Sequence, residues 1–150
     1  MKASLPIALL IGVWSAHAHA LCSADISISD VDGVAGPLGA RSTEWSGSDS
    51  ALQMMVHEGV IEQIGQLQVV KLLIGLRESV TGRDNQAKVR DALRAILHTV
   101  ADNAAALREL ASKSAPTDSR TTLVADLDRE IALVRCDDPG KKEAPGAGGR

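Results

Sequence analysis

Apolar residues recur at helical spacing through the second half of the chain, most clearly between Asp84 and Lys113. The apolar positions of this run return every three or four residues: Val89, Leu93, Ile96, Val100, Ala104, Leu107 and Ala111. Residues at this spacing share one side of an α-helix. Asp84 at the start and Lys113 at the end also suit the two poles of the helix dipole. The pattern predicts a long amphipathic helix from Asp84 to about Lys113.

Another helix is predicted before this one, from about Ser50 to Val80. One of its faces is marked by Leu52, Val56, Ile64, Leu67, Val70 and Ile74. Three glycines interrupt the run, at Gly59, Gly65 and Gly75. Each costs about 1 kcal/mol relative to alanine in a helix interior. The pattern therefore leaves open whether this helix is continuous, bent or broken.

A third helix is predicted after Pro116, from Thr117 or Asp118 to about Cys136. The apolar side of this helix consists of Leu123, Leu127, Ile131 and Val134, and Val124 makes that apolar side wider. Short connections at 81–84 and 114–117 make neighbouring helices antiparallel. The hydrophobic pattern therefore predicts an all-α fold, an antiparallel three-helix bundle.

The segment before these helices, residues 21–48, is rich in Gly, Ser and Asp. We expect it to be extended and to pack lengthwise on the bundle beside Val69–Leu76, with Ile26, Ile28 and Val31 pointing inward at roughly alternate positions. Residues 139–150 have the composition of a disordered tail. The predicted helical-bundle domain is therefore 21–138.

The run Val69–Leu76 (VVKLLIGL) is apolar on almost all sides. A helix of this kind needs cover on more than one side, from the N-terminal segment or from a second copy of the protein. A buried β-strand is the competing interpretation of the same run. Our hypothesis is an interaction surface made of Trp45, Val69, Val70, Leu72, Leu73 and Leu76. Trp45 has a second interpretation, as a plug for one end of the bundle, and we favour the plug.

The first twenty residues resemble a secretory signal peptide. Lys2 is followed by a short apolar run, Leu5–Trp14, and by the small residues of Ala18-His19-Ala20 at a predicted cleavage site. Crossing a bilayer takes roughly 20 apolar residues, so an uncleaved anchor is the weaker interpretation. A lipoprotein needs a small residue directly before its lipidated cysteine, and Leu21 occupies that position before Cys22, so a lipoprotein is disfavoured. We expect cleavage after Ala20, no membrane span in the mature protein, and a periplasmic location or secretion beyond it.

Two cysteines remain after cleavage, Cys22 and Cys136. Export places them in an oxidising compartment, so we expect a disulfide between them. Closing so long a loop stabilises a fold by roughly 4 to 5 kcal/mol in the chain-entropy model. A disulfide between two chains and a pair of free thiols are the alternatives.

Composition narrows the classes of partner. The net charge is −3, without blocks of basic residues, and the chain has two Trp and no Tyr or Phe. Nucleic-acid binding requires clustered Lys and Arg, and base stacking requires aromatic rings. We expect neither nucleic acid nor an anionic membrane surface as a partner.

The search for chemical motifs is mostly negative. Asp30-Val31-Asp32-Gly33 resembles part of a calcium loop, but Val34 and Arg41 occupy positions that need oxygen ligands. Asp126 and Glu130 are interpreted as separate surface groups rather than a catalytic pair. No Ser-His-Asp set or zinc-hydrolase motif is present. We expect no enzymatic activity and no cofactor.

The sequence therefore predicts an exported helical protein that acts by binding another protein, such as an adaptor, an inhibitor or an immunity-type protein. The expected partner is another periplasmic or envelope protein, or a second copy. The alternative hypothesis is a periplasmic copper- or zinc-binding protein. Its ligands would come from Met54, Met55 and His57, since thioether and imidazole groups suit these metals.

Overall fold

The computed structural model describes residues 25–46, 50–114 and 117–135. Within these ranges the chain forms four α-helices and no β-strand: α1 (Ile28–Trp45), α2 (Ala51–Ser79), α3 (Arg83–Ser112) and α4 (Asp118–Val134). The predicted all-α class is confirmed. The prediction of three helices is wrong, because α1 forms a fourth. The strand interpretation of Val69–Leu76 is also wrong, since α2 runs continuously through all three of its glycines.

Helix α1 occupies the segment for which an extended conformation was predicted. Its buried residues Val31, Val34 and Leu38 follow a helical spacing. Its start is a reciprocal cap: Asp30 N donates to Ser27 Oγ (3.2 Å), and Ser27 N donates to Asp30 Oδ2 (2.9 Å). The glycines and Pro37 of this segment oppose a helix. Burial of its apolar side against neighbouring helices outweighs that local preference.

The expected position of this segment, lengthwise along the Val69–Leu76 region, is observed. Lys71 Nζ lies 2.6 Å from Asp32 Oδ1, and Arg77 Nη2 donates to the carbonyl of Ile26 (2.9 Å). Ile26 and Val31 are fully buried, but Ile28 is 38% exposed. Ile28 differs from the prediction because a helix, unlike a strand, does not bury alternate residues.

The four helices form a ring in which each packs against two neighbours. α2 packs between α1 and α3, and α4 packs against α3 and closes the ring against α1. Near the end of α1, Arg41 Nε lies 3.6 Å from Asp126 Oδ2, and Ser119 Oγ donates to Glu44 Oε2 (2.8 Å). These contacts run in opposite directions along α1 and α4. The bundle is therefore antiparallel, with the start of α1 and the end of α4 at the same end.

Two glycines fit the geometry of the α2–α3 hairpin. Gly82 has φ +93°, in the left-handed region that favours glycine, and it lets the chain reverse before α3. Gly59 leaves room for the Leu107 side chain of α3, since a β-carbon at Gly59 would come 2.7 Å from Leu107 Cδ1. The core has no Phe or Tyr with which to fill wide gaps, so close helix contacts of this kind complete its packing.

Replacing Gly33 by alanine is expected to stabilise the protein by about 1 kcal/mol. Gly33 is exposed within α1, and a β-carbon there would meet no atom within 4 Å, so alanine adds helix propensity without a clash. Urea unfolding at equilibrium measures the change. Gly36→Ala is the matched control, because Gly36 precedes Pro37 and a β-carbon there disfavours the helical backbone. A stability gain as large for Gly36→Ala as for Gly33→Ala would contradict this explanation.

Candidate functional site

The structure divides the residues of the predicted interaction surface between core and solvent. Trp45 is only 6% exposed and Val70 is fully buried, while Leu73 is partly buried. Trp45 therefore belongs to the core, at the end of α1. Val69, Leu72 and Leu76 face solvent, and Leu72 is 73% exposed. These three remain candidates for contact with a partner.

The exposed residues belong to a longer apolar surface along α2. We call this surface the outer face and define it by its exposed large side chains: Met54, Met55, Ile61, Val69, Leu72 and Leu76. The core side of the same helix is formed by Val56, Val60, Gln63, Leu67, Val70 and Ile74. At 100° per residue these two sets lie on opposite sides of α2. α2 therefore carries large apolar side chains on two faces, and the described residues of the bundle cover only one of them.

The exposed large side chains of the outer face together amount to a considerable apolar surface. Its large side chains leave roughly 600 Å² of apolar surface in contact with water, which is at the upper end of patches on ordinary monomers. α3 is of similar length but has a single apolar stripe. Its exposed side carries polar and charged residues such as Arg90, Asp91 and Arg94. The outer face is therefore a property of α2 and not of long helices in this protein generally.

A surface depression of about 740 Å³ lies on the N-terminal half of the outer face. It is lined by Ala51, Met54, Met55, Glu58, Gly59, Ile61 and Glu62. Methionine side chains are flexible and adapt to partners of different shape. This half of the face therefore combines apolar side chains with two carboxylates.

α2 is also long and apolar enough to cross a membrane, by length and composition alone. Core helices of bundles pass the same test. Here Gln63 of α2 is buried and bonded to neighbouring helices, and Lys71 is paired with Asp32 of α1. Those contacts and the burial of its core side identify α2 as a helix of the bundle.

The residues of the metal hypothesis do not converge. Met54 and Met55 are 51% and 59% exposed, and His57 is partly buried, with an enclosed Nδ1 that has no hydrogen-bond partner among the described residues. In the described part of the chain, no group of three or more His, Cys, Asp or Glu residues is placed to hold a metal ion. Within those described residues, no such group accompanies Met54, Met55 and His57.

The bundle interior contains a polar cluster that the sequence analysis placed on the surface. Gln63, Asp126 and Glu130 are all buried, and Glu130 is completely enclosed. The prediction that Asp126 and Glu130 are surface groups is therefore wrong. Glu130 follows Leu123 and Leu127 on the core stripe of α4, so the spacing alone signalled its burial. Its charged side chain favoured the opposite interpretation.

A single glutamine links three helices in this cluster. Gln63 Nε2 of α2 donates to the carbonyl of Val100 in α3 and to Glu130 Oε1 in α4, both at 2.8 Å. The second bond joins helices that are diagonal to each other in the ring. Because a buried donor left without an acceptor is costly, these bonds favour one register of the four helices.

The two buried carboxyl groups differ in whether nearby positive charges offset the cost of their burial. Asp126 lies near two arginines, with Arg129 Nη1 3.1 Å from its Oδ1 and Arg41 Nε 3.6 Å from its Oδ2. Glu130 has no ion pair within the described residues, and its Oε2 accepts no hydrogen bond there. Burial raises the pKa of Glu130 to about 7, and the hydrogen bond from Gln63 opposes that rise only in part. Its enclosure excludes contact with a substrate.

Comparison with known proteins assigns the chain to no group. No protein-family model, no curated protein and no solved structure matches it.

Folding stability is expected to fall as the pH rises from about 4.5 to about 7. Below this window the Glu130 carboxyl is protonated in both states; within it, the unfolded chain releases the proton and the folded chain retains it. The raised pKa corresponds to roughly 3 kcal/mol across the window. Urea unfolding at a series of pH values measures this slope.

Glu130→Gln is expected to reduce the slope and to be more stable than the wild type at pH 8, because its side chain carries no charge. Glu109→Gln is the matched control, since the Glu109 side chain is 73% exposed. An equal change of slope in both variants would show that Glu130 is not the group responsible.

Proposed function

We propose that this is an exported helical protein that acts by binding another protein through the outer face of α2. The observation that supports the proposal is the second apolar face of that helix, against which none of the described residues of the bundle packs. The largest apolar patches on monomeric proteins are often functional. Proteins that act in this way include adaptors, inhibitors and immunity-type proteins.

The shape of the outer face favours a protein over a small ligand. From Met54 to Leu76 it extends roughly 33 Å along the helix. Small-molecule sites are concave and surround most of their ligand. The outer face is long, and its depression covers only the N-terminal half, so the face as a whole suits a groove or a second helix on a partner, with apolar side chains as anchors.

The exported location in this proposal comes from the first twenty residues, which lie outside the described part of the structure. A signal peptide would deliver the protein to the periplasm or beyond it. The proposed partner is therefore another periplasmic or envelope protein, or a second copy of this chain.

A disulfide between Cys22 and Cys136 completes the proposal, although both cysteines lie outside the described residues. Cys22 is four residues before Ile26, and Cys136 is two residues after Val134. The antiparallel packing of α1 and α4 brings Ile26 and Val134 to the same end of the bundle. The bond would join the two ends of the domain and limit the separation of α1 from α4.

Leu72→Asp is expected to abolish binding to the partner without unfolding the protein. Leu72 is 73% exposed, so a charge there is solvated in the free protein but would be buried in a complex. Co-purification from native periplasm measures binding, with a tag on the C-terminal tail and non-reducing conditions. Ala95→Asp, at an exposed position of α3, is the matched control. A stoichiometric partner that is retained by Leu72→Asp, or lost equally in both variants, would refute the outer face as the binding surface.

The disulfide is tested by thiol labelling of the protein purified from the periplasm. After denaturation without reductant, we expect no alkylation of cysteine and a monomeric mass on a non-reducing gel. After reduction, both cysteines should react. A reductant-sensitive dimer on the gel would indicate a bond between chains, and alkylation without reduction would indicate free thiols.

A further inference from the structure

We propose that the last turn of α4 is a proton-controlled latch, which lies closed on the bundle while the Glu130 carboxyl is uncharged and opens when that carboxyl ionises. We define the latch as residues 131–134, the part of α4 that follows Glu130. The latch is separate from the outer face of α2, and its opening does not require a binding partner.

The bond between Gln63 and Glu130 is the polar contact of α4 that lies nearest to the latch. Gln63 Nε2 donates to Glu130 Oε1 at 2.8 Å. The latch itself consists of Ile, Ala, Leu and Val, whose side chains form no hydrogen bonds. Four polar side chains tie the earlier part of α4 to groups outside it: Ser119 to Glu44, Arg120 to Ser114, Asp126 to Arg41, and Asp128 to Arg108. The start and middle of α4 are therefore anchored by polar contacts, and its end depends on apolar packing next to Glu130.

Ionisation of Glu130 would place an uncompensated charge inside the closed bundle. The side chain is completely enclosed, and its Oε2 accepts no hydrogen bond from the described residues. A buried carboxylate is costly unless cations or several donors surround it. The uncharged carboxyl is therefore compatible with the closed bundle, whereas the charged form favours any opening that admits water.

The charged groups of α1 and α4 do not offset a charge at this position. Asp126, one turn earlier on α4, carries a like charge and is itself paired with Arg129 and Arg41. Arg41 is also paired with a second carboxylate, on α1. The stretch 33–40 of α1, which precedes Arg41, contains no titratable residue, and Arg135, just after the latch, is exposed.

α2 and α3 do not offset such a charge either. On α3, the titratable residues nearest in sequence to the carbonyl that shares Gln63 are both exposed: His98 and Asp102. On α2, Glu58 and Glu62 are exposed, and Lys71 pairs with a carboxylate of α1. His57 lies about 9 Å from Gln63 along the axis, on the side away from the latch. Hydration is therefore what a charged Glu130 lacks in the closed bundle.

The shortest route by which water can reach Glu130 is through the end of α4. Only one turn follows Glu130, and α4 is the shortest of the four described helices, with 17 residues. Within the latch Val134 is buried, but Ile131 and Leu133 are only partly buried. The last turn has no basic residue to balance the negative pole of the helix dipole. Opening of this turn therefore disrupts much less packing than separation of whole helices.

Hydrogen exchange of individual amides tests the latch in the mature protein, without reductant, at pH 5.5 and pH 8. After correction for the intrinsic pH dependence of exchange, we expect the protection of the latch amides to fall at least tenfold between these values. The reason is that the pKa of Glu130 is about 7 in the closed bundle and returns toward 4.5 when water reaches it. The amides of Leu67 and Val70, in the core of α2, should remain better protected than the latch at pH 8.

Glu130→Gln is expected to keep the latch equally protected at both pH values, because its side chain cannot ionise. Glu109→Gln, at an exposed position of α3, is the matched control and should behave as the wild type does. Latch amides whose protection does not change with pH in the wild type would overturn the proposal. So would a pH dependence that persists in Glu130→Gln, or latch amides as well protected as those of the α2 core at pH 8, since water would then reach Glu130 only when the bundle unfolds.

Fluorescence of Trp45 reports on the opposite end of the bundle. Together with Thr117 and Ser119, at the start of α4, Trp45 lines a depression of about 210 Å³. It is the single tryptophan of the predicted mature chain, because Trp14 belongs to the predicted signal peptide. We expect its emission to be the same at pH 5.5 and pH 8 while the latch amides lose protection. A red shift at pH 8 would show that the helices separate along their whole length and would overturn a latch confined to the last turn of α4.

Discussion

The fold depends on the burial of one side of α2 between α1 and α3. Val56, Val60, Leu67, Val70 and Ile74 form a continuous buried row along this helix. A single neighbouring helix cannot cover a row of this width, so α1 must lie on one side and α3 on the other. α4 then closes the ring between those two. The helical conformation of α1, in spite of its glycines and proline, follows from this requirement.

The polar cluster shows how a core without large aromatic residues still specifies one arrangement. Aliphatic side chains pack in many registers, because contacts among them are not directional. Gln63 offers its N–H groups to acceptors on two different helices, and only one register satisfies both. Glu130 supplies one of those acceptors, while its other oxygen accepts no hydrogen bond from the described residues, which lowers stability. The protein therefore combines a specific register with a core that is less stable than an entirely apolar one.

Much of this architecture could be predicted from the hydrophobic pattern, and the exceptions have physical causes. The limits of α2, α3 and α4 were predicted within a few residues, because long apolar stripes fix a helix more strongly than glycines disrupt it. α1 was missed because the low helix propensity of its glycines obscured the spacing of Val31, Val34 and Leu38. Glu130 was missed because its charge was taken as a sign of exposure. The sequence indicated the outer face only over Val69–Leu76. Which side of a helix remains exposed depends on how the neighbouring helices pack, and the sequence of the helix itself does not determine that packing.

The unequal lengths of the helices have a consequence for local stability. Val100 of α3 and Glu130 of α4 lie at the same height in the bundle, because Gln63 bonds to both. From this height α4 continues for only one turn, to Val134. α3 extends much further in the same direction, since it begins seventeen residues before Val100. Among the described residues, α2 is therefore the one ring neighbour of α3 that lies beside its first turns, where Val89 and Leu93 are buried. Amide protons in this part of α3 should exchange with solvent more readily than those of the four-helix portion. Local opening of α3 there would leave the closed ring of helices intact.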